Sequence, residues 1–167
     1  LSIGTLNAEL ARSMEPRASI PEARLRAIRE LADAGVPVGV MTAPIVPGLN
    51  EEDLPTILAA AYEAGARSAG YTMLRLPLTV EPVFREWLRR AYPDKVSRVE
   101  GRIRATRAGE MSSSTWGERM SGTGVFAGQI AQMFRIHARR IGINGRLPEY
   151  DRTQFIPPLK HGQKRLF

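Results

Sequence analysis

The sequence contains no cysteine and is poor in histidine and aromatic residues. The lack of cysteine excludes disulfides, thiolate metal ligands and a cysteine nucleophile within these 167 residues, and it fits a reducing compartment. With only two histidines, His137 and His161, a histidine metal site is not expected. Aromatic residues make up 7% of the chain, which gives weak support to stacking on single-stranded bases.

Long apolar runs and the common nucleotide and hydrolase motifs are missing as well. No run of about 18 apolar residues occurs, and the first residues do not resemble a signal peptide, so we expect a cytoplasmic protein. There is no P-loop, no HExxH, no GxSxG and no Gly-rich dinucleotide loop after a strand. The chain begins with Leu1 instead of methionine, which favours a piece of a longer protein.

The most informative stretch is residues 36–53, VPVGVMTAPIVPGLNEED. Its apolar first part is typical of a strand buried on both faces, and Pro47-Gly48 predicts a turn. Asn50 follows as a candidate helix N-cap, with acidic residues in the positive first turn of the next helix. The loop therefore leaves the carboxyl end of a predicted parallel strand, where α/β folds bind ligands.

Strands and helices alternate over the first half of the chain. Residues 1–6 and 68–77 are predicted as further strands. Asn7 is a candidate cap of a short helix that runs to about Met14, and Ser19 with Glu22 has capping-box spacing at the start of the next helix. Short connections imply right-handed crossovers, so we predict an α/β fold with three parallel strands that resembles the second half of a barrel. We expect its exposed edge at residues 1–6 to mediate self-association or to be covered by the C-terminal helices.

The second half is predicted to be a mostly helical C-terminal extension, which gives two domains, 1–78 and 79–167. Apolar spacing predicts helices over residues 80–92 and 124–141, and an irregular tail follows from Gly142 onward. Its basic residues are concentrated on helices, and four of them are candidate nucleic-acid contacts. A run of arginines is usually a solvated helix face, and the alternative is an electrostatic footprint for nucleic acid. The four candidates are Arg98, Arg102, Arg135 and Arg139.

Four segments occur here in an order that matches one enzyme family: SIGTLN (2–7), EPRAS (15–19), AGVPV (34–38) and APIVPGLN (43–50). On these segments the chain resembles the C-terminal half of a radical S-adenosylmethionine (SAM) protein, similar to the spore photoproduct lyase or DNA repair photolyase-like group. The resemblance covers residues 1–77.

The family fold is a partial (β/α)6 TIM-like barrel. The resemblance also implies a 4Fe-4S cluster held by a CxxxCxxC loop after the first barrel strand. This chain has no cysteine, so the cluster loop would lie in a missing N-terminal half of the same protein. Alone, the chain is not expected to make a 5′-deoxyadenosyl radical.

The resemblance assigns SAM contacts residue by residue. Ser2 and Thr5 match the end of the fourth barrel strand, where the family binds the ribose or the methionyl group; the alternative is an ordinary strand end. Arg17, Ser19 and Arg24 match the segment that grips the SAM carboxylate. For Ser19, simple helix capping explains the residue as well.

Two further segments are assigned to adenine. Ala43 and Ile45 belong to the fifth-strand motif that packs on adenine, and the backbone near Leu74 would contact the adenine edge. Core packing and a turn are the alternatives for both. Tyr71 either faces substrate or packs under a helix.

Three functions follow as hypotheses. The first is a part of a radical SAM enzyme that contributes SAM-binding residues, with no catalytic residue assigned and a nucleic-acid substrate suggested by analogy. The second is a non-enzymatic basic module that binds nucleic acid or a partner protein. The third is a half-barrel that binds an anionic metabolite at its strand ends.

Overall fold

The computed structural model describes residues 1–143, 145, 148–149, 153 and 156. Two 3-10 turns, Glu51–Asp53 and Pro93–Lys95, precede helices. Most of the predicted irregular tail, His161 included, lies outside the described residues. The regular elements are α1 (Ala8–Met14), α2 (Pro21–Asp33), β1 (Gly39–Ile45), α3 (Leu54–Glu63), β2 (Ser68–Met73), α4 (Val80–Ala91), α5 (Val96–Ala105) and α6 (Gly124–Ile141).

The prediction of three parallel strands forming half of a TIM-like barrel is wrong. Among the described residues, β1 and β2 form one open, two-stranded parallel sheet. The first segment contributes only an isolated parallel bridge, Ser2 to Met41. Ile3 N–H donates to the Met41 carbonyl at 2.9 Å, and Met41 N–H donates to the Leu1 carbonyl at 2.8 Å.

The short pairing of the first segment has a local cause. Asn7 is the N-cap of α1, and its Oδ1 accepts from the N–H groups of Glu9 at 2.9 Å and Leu10 at 3.0 Å. The chain therefore turns into a helix soon after Ile3, before a full strand can pair along β1. The predicted cap at Asn7 is confirmed.

Two other predicted caps make no capping bond, and one of them is misplaced. The N-cap of α2 is Ile20, without a side-chain cap bond, and the helix starts with Pro21 in its first position, so Ser19 lies outside the helix. Asn50 precedes the 3-10 turn but makes no capping bond with its side chain either.

The larger core cluster lies on one face of the sheet. There α2, α3 and α6 bury apolar side chains against Val40 of β1 and Val38, which directly precedes this strand. Ile57 and Leu58 of α3 are at most 1% exposed, and α6 contributes Ile130 from the opposite half of the chain. The core of the first half is thus completed by the last helix.

A second core cluster joins the loops that follow the strands to α4 and α5. Val46 after β1 and Leu76 after β2 pack with Phe84, Leu88 and Val99. Both clusters therefore combine residues from either side of position 78. No helix of the described residues is long and apolar enough to cross a membrane.

The other side of the sheet, here called the open face, carries small and polar residues. Met41 is 41% exposed there, with its sulfur 3.8 Å from Thr72 Oγ1. Side chains along a strand alternate between the two faces of the sheet. Strand residues that alternate with the core residues therefore belong to the open face. The open face consists of Ser2, Gly4, Gly39, Met41, Ala43, Gly70 and Thr72.

Candidate functional site

The loop that leaves β1, residues 46–53 and here called the exit loop, is held by two of its own side chains. Asn50 is 3% exposed. Its Oδ1 accepts from Val46 N–H at 2.7 Å, and its Nδ2 donates to the carbonyls of Gly4 at 2.8 Å and Pro44 at 3.0 Å. Asn50 thus joins the first bridged segment to the loop after β1.

Glu51 holds the same loop from the other side. One carboxylate oxygen accepts from Gly48 N–H at 2.7 Å, and the other forms an ion pair with Arg102 of α5. Gly48 has φ +88°, and a Cβ there would lie 3.3 Å from the Val99 Cα, so the loop needs glycine both for its turn and for the close approach of α5. The exit loop is thus pinned to the helical half of the chain.

Thr5 lies beside the exit loop, and its hydroxyl is already hydrogen-bonded within the chain. It is 3% exposed; its hydroxyl donates to Asp53 and accepts from Asn7 N–H at 3.0 Å. The predicted ribose contact is therefore engaged in holding the exit loop, and its role in this structure is to position that loop.

Arg24 brings three chain segments together. Its guanidinium donates to the Ser2 carbonyl at 2.8 Å, to the Ser19 carbonyl at 2.9 Å and to Glu15 Oε2 at 3.0 Å. Three of its five N–H donors are thus bonded within the chain. Ser2, Ser19 and Arg24, which were predicted as SAM contacts, do converge, with Arg24 as the clamp between them.

Arg17 does not join this group. It is exposed and lines a shallow surface depression with Glu15, Pro16 and Ala18. The sequence placed it with Ser19 because the two are neighbours in the chain, whereas the structure turns its side chain to solvent.

The pocket beside the Arg24 clamp is too small for a nucleoside. It has a volume of about 10 Å³, room for one water molecule. A ligand of nucleoside size therefore does not fit into this pocket. The pocket is lined by Ile3, Gly4, Thr5, Ala11, Met14, Glu15, Ser19, Pro21 and Arg24.

The three adenine candidates differ in position. Ile45 is 3% exposed and belongs to the larger core, and the half-buried Leu74 packs on the second core. Leu74 N–H donates to the Ile45 carbonyl at 2.8 Å, and its carbonyl accepts from Arg107 at 2.8 Å, so its backbone groups are occupied. Ala43, only partly buried, is the one of the three on the open face.

Ala43 is close to the first segment. A Cβ added to Gly4 would lie 3.1 Å from the Ala43 carbonyl oxygen. Small residues at both positions let the two chain segments approach and leave the carboxyl end of the open face flat.

Two of the four predicted nucleic-acid contacts are paired with acids. Arg102 bonds to Glu51 and lies over the Phe126 ring, 5.3 Å from its centroid, and Arg98 lies 3.5 Å from Glu52. Their charge is therefore balanced locally.

The other two predicted contacts lie on α6 and are exposed. Arg135 and Arg139 have no ion-pair partner in the part of the chain that the structure describes. With Gln132, Ile136 and Arg140 they line a groove of about 440 Å³, here called the α6 groove. Among the four candidates, positive charge without an acidic partner in the described residues is thus confined to this helix.

Tyr71 packs under a helix. Its ring centroid lies 5.0 Å from that of Phe134 in α6, and the residue is partly buried. Burial raises the pKa of Tyr71, against a smaller opposing effect of the Arg135 charge. Of the two alternatives for Tyr71, the structure supports packing.

Substitution Tyr71→Phe is expected to reduce the loss of stability at alkaline pH. The folded chain holds the phenol proton of Tyr71 more tightly than the unfolded chain does, and this difference adds to the free energy of unfolding. The contribution is complete below about pH 10 and is lost as the pH rises above it. Phenylalanine keeps the ring contact and has no proton to lose. Urea unfolding of both proteins near neutral pH and near pH 11 measures the difference; equal losses would contradict it.

Sequence reasoning assigned Asn50, Glu51 and Asp53 only to helix capping and the helix dipole. The available signal was their position directly after a Pro-Gly turn, where amide and carboxylate groups can satisfy the exposed N–H and C=O groups of a tight loop. No cluster of three or more potential metal ligands occurs among the described residues.

Comparisons with known proteins identify relatives without a described activity. No family model and no solved structure matches the chain. It is 35% identical over 100 residues to the uncharacterized proteins Rv2578c of Mycobacterium tuberculosis and Mb2609c of Mycobacterium bovis, covering 59% of this chain. The uncharacterized protein ORF301 of Acidianus two-tailed virus is 39% identical over 70 residues, 39% of this chain.

These relatives are much longer than the matched region. The match spans 29% of the length of the mycobacterial proteins and 23% of the viral one.

Proposed function

We propose that this chain supplies the SAM-binding residues of a radical SAM enzyme. The observation that carries the proposal is the edge of the open face near the end of β1, where Gly4 closely approaches Ala43 and Arg24 holds the Ser2 backbone. Parallel strands present ligands at this end. SAM would lie over this edge with its adenine against Ala43.

The iron–sulfur cluster fits only a longer protein. A 4Fe-4S cluster is held by thiolates, and the chain has none. When bound, the cluster supplies the electron that cleaves SAM. We propose that its ligands lie in a preceding part of the same protein, which covers the open face, in the reducing environment of the cytoplasm. The greater length of the relatives supports this proposal.

This chain's own residues would bind and orient SAM. The Ser2 hydroxyl is exposed at the edge and can bond to a ribose hydroxyl. Arg24 fixes the Ser2 backbone and holds Glu15 in place, so it acts as a positioning residue. Its two remaining N–H donors are of the kind that binds a carboxylate.

The decisive test is made on the product of the complete reading frame. We expect a CxxxCxxC segment ahead of Leu1 and, after anaerobic reconstitution, bound iron and sulfide. With dithionite as the electron donor, this protein should convert SAM to methionine and 5′-deoxyadenosine. A complete reading frame without that segment, or a reconstituted protein that does not cleave SAM, would refute the proposal.

Substitution Ala43→Phe tests the assigned edge. A phenyl group there would occupy the adenine position, and since Ala43 lies on the open face, the core should tolerate it. We expect SAM affinity, measured by equilibrium dialysis, to fall by about tenfold or more. The matched variant Ala43→Ser should bind nearly as wild type. Equal binding by both variants would place SAM elsewhere.

A second candidate function is a non-enzymatic module that binds nucleic acid. The α6 groove favours it, because Arg135, Arg139 and Arg140 are exposed there beside Ile136. Phosphate contacts by arginine produce affinity that falls steeply with salt. Salt-dependent DNA binding that Arg135→Ala and Arg139→Ala weaken, in a protein without SAM affinity, would select this candidate.

A further inference from the structure

Arg107 is a buried cation without an acidic partner. It is 4% exposed, and its guanidinium donates to the carbonyls of Leu74 at 2.8 Å and Glu118 at 3.0 Å. No ion pair to a carboxylate involves it within the described residues. Buried charges are normally paired with an opposite charge, since carbonyl dipoles compensate only part of the loss of hydration.

A second guanidinium is placed beside it. Arg75 follows Leu74 directly and is exposed, and its one contact among the described residues is weak, Nη1 to the Met120 sulfur at 4.0 Å. Burial, and to a smaller degree the charge of Arg75, lowers the pKa of Arg107. The buried guanidinium is thus bonded to the carbonyl of the residue that directly precedes the exposed Arg75.

The pair lies at the carboxyl end of β2. Met73, the last residue of this strand, donates its N–H to the Met120 carbonyl at 2.8 Å, so the segment that carries Glu118 and Met120 borders the same edge. This edge is where open parallel sheets bind ligands. The arrangement therefore brings positive charge to a ligand-binding position and leaves it unbalanced.

We propose that Arg75 and Arg107 bind an oxyanion, a phosphate or carboxylate group carried by a small molecule. The anion supplies the negative charge that the described residues do not provide. Guanidinium groups bind such groups through paired, charge-assisted hydrogen bonds. Arg107, held by two carbonyls, gives a fixed donor, and the exposed Arg75 closes on the anion from the solvent side. The proposal does not depend on SAM binding.

The test follows thermal unfolding of the chain in increasing inorganic phosphate, with sodium chloride at matched ionic strength as the reference. We expect a saturable rise of the unfolding midpoint in phosphate that chloride does not produce. Acetate in place of phosphate distinguishes the two ligand groups: a rise only in phosphate selects a phosphate ester, and a rise in both selects a general oxyanion site.

Arg75→Ala is the informative variant, because this exposed side chain is not required by the core. We expect it to weaken phosphate binding by about tenfold or more. Arg90→Ala removes an equally charged, exposed arginine from α4 and should leave binding unchanged. The proposal is overturned if neither phosphate nor acetate acts more strongly than chloride, if Arg75→Ala binds as wild type, or if Arg90→Ala weakens binding equally.

Discussion

Substitution Asn50→Ala is expected to lower the free energy of unfolding by about 3 kcal/mol. The change removes three hydrogen bonds and leaves the buried Val46 N–H and the carbonyls of Gly4 and Pro44 without their partner. Water cannot easily replace a side chain that is 3% exposed. Urea unfolding followed by far-UV circular dichroism measures the difference.

Glu52→Ala is the matched control. Glu52 is two positions away in the same segment, its side chain is 83% exposed, and its ion pair with Arg98 is long at 3.5 Å. We expect its removal to change stability by at most about 0.5 kcal/mol. If Asn50→Ala were as mild as this control, the side chain of Asn50 would not be what holds the exit loop.

The helices could be predicted where local signals are strong. The cap at Asn7 predicted α1, and apolar spacing predicted α4 and α6; the structure has helices at all three places. Each of these signals involves only residues within the helix or next to it. Gly142, in the left-handed conformation at φ 79°, ends α6 as the sequence indicates. Local capping and periodicity need no knowledge of the rest of the fold.

The sheet could not be predicted in the same way. Apolar character suggested a strand over residues 1–6, but the extent of a strand depends on the partner along it, and here only Ser2 pairs with Met41. Asn7, whose cap was itself predicted, was the signal that limited this strand. A helix that starts directly after Asn7 leaves too few residues for a full strand before it, whatever the apolar pattern of residues 1–6.

The candidate site shows the same division. The resemblance assigns Ser2, Ser19 and Arg24 to SAM contacts, and the structure brings these three residues together. The roles differ, because each hydrogen bond of Arg24 reaches a separate segment and cannot be inferred from spacing. Among the lysines and arginines that the structure describes, nothing local marks Arg107 as the buried one.

Substitution Leu58→Ala is expected to lower the free energy of unfolding by about 2–5 kcal/mol. Leu58 is fully buried in α3, within the cluster that joins the sheet to α6. The change removes apolar contacts and leaves a cavity that packed neighbours on both sides cannot fill. Thermal or urea unfolding, monitored by circular dichroism, gives the midpoint shift.

The same variant tests whether residues 1–78 and 79–167 unfold separately. Because the Leu58 cluster includes Ile130 and the second cluster joins Val46 to Leu88, we expect one shared transition that Leu58→Ala shifts as a whole. Glu63→Ala, an exposed change on the same helix, should leave the midpoint nearly unchanged. A second transition that Leu58→Ala does not move would show that α4 and α5 hold together without the sheet.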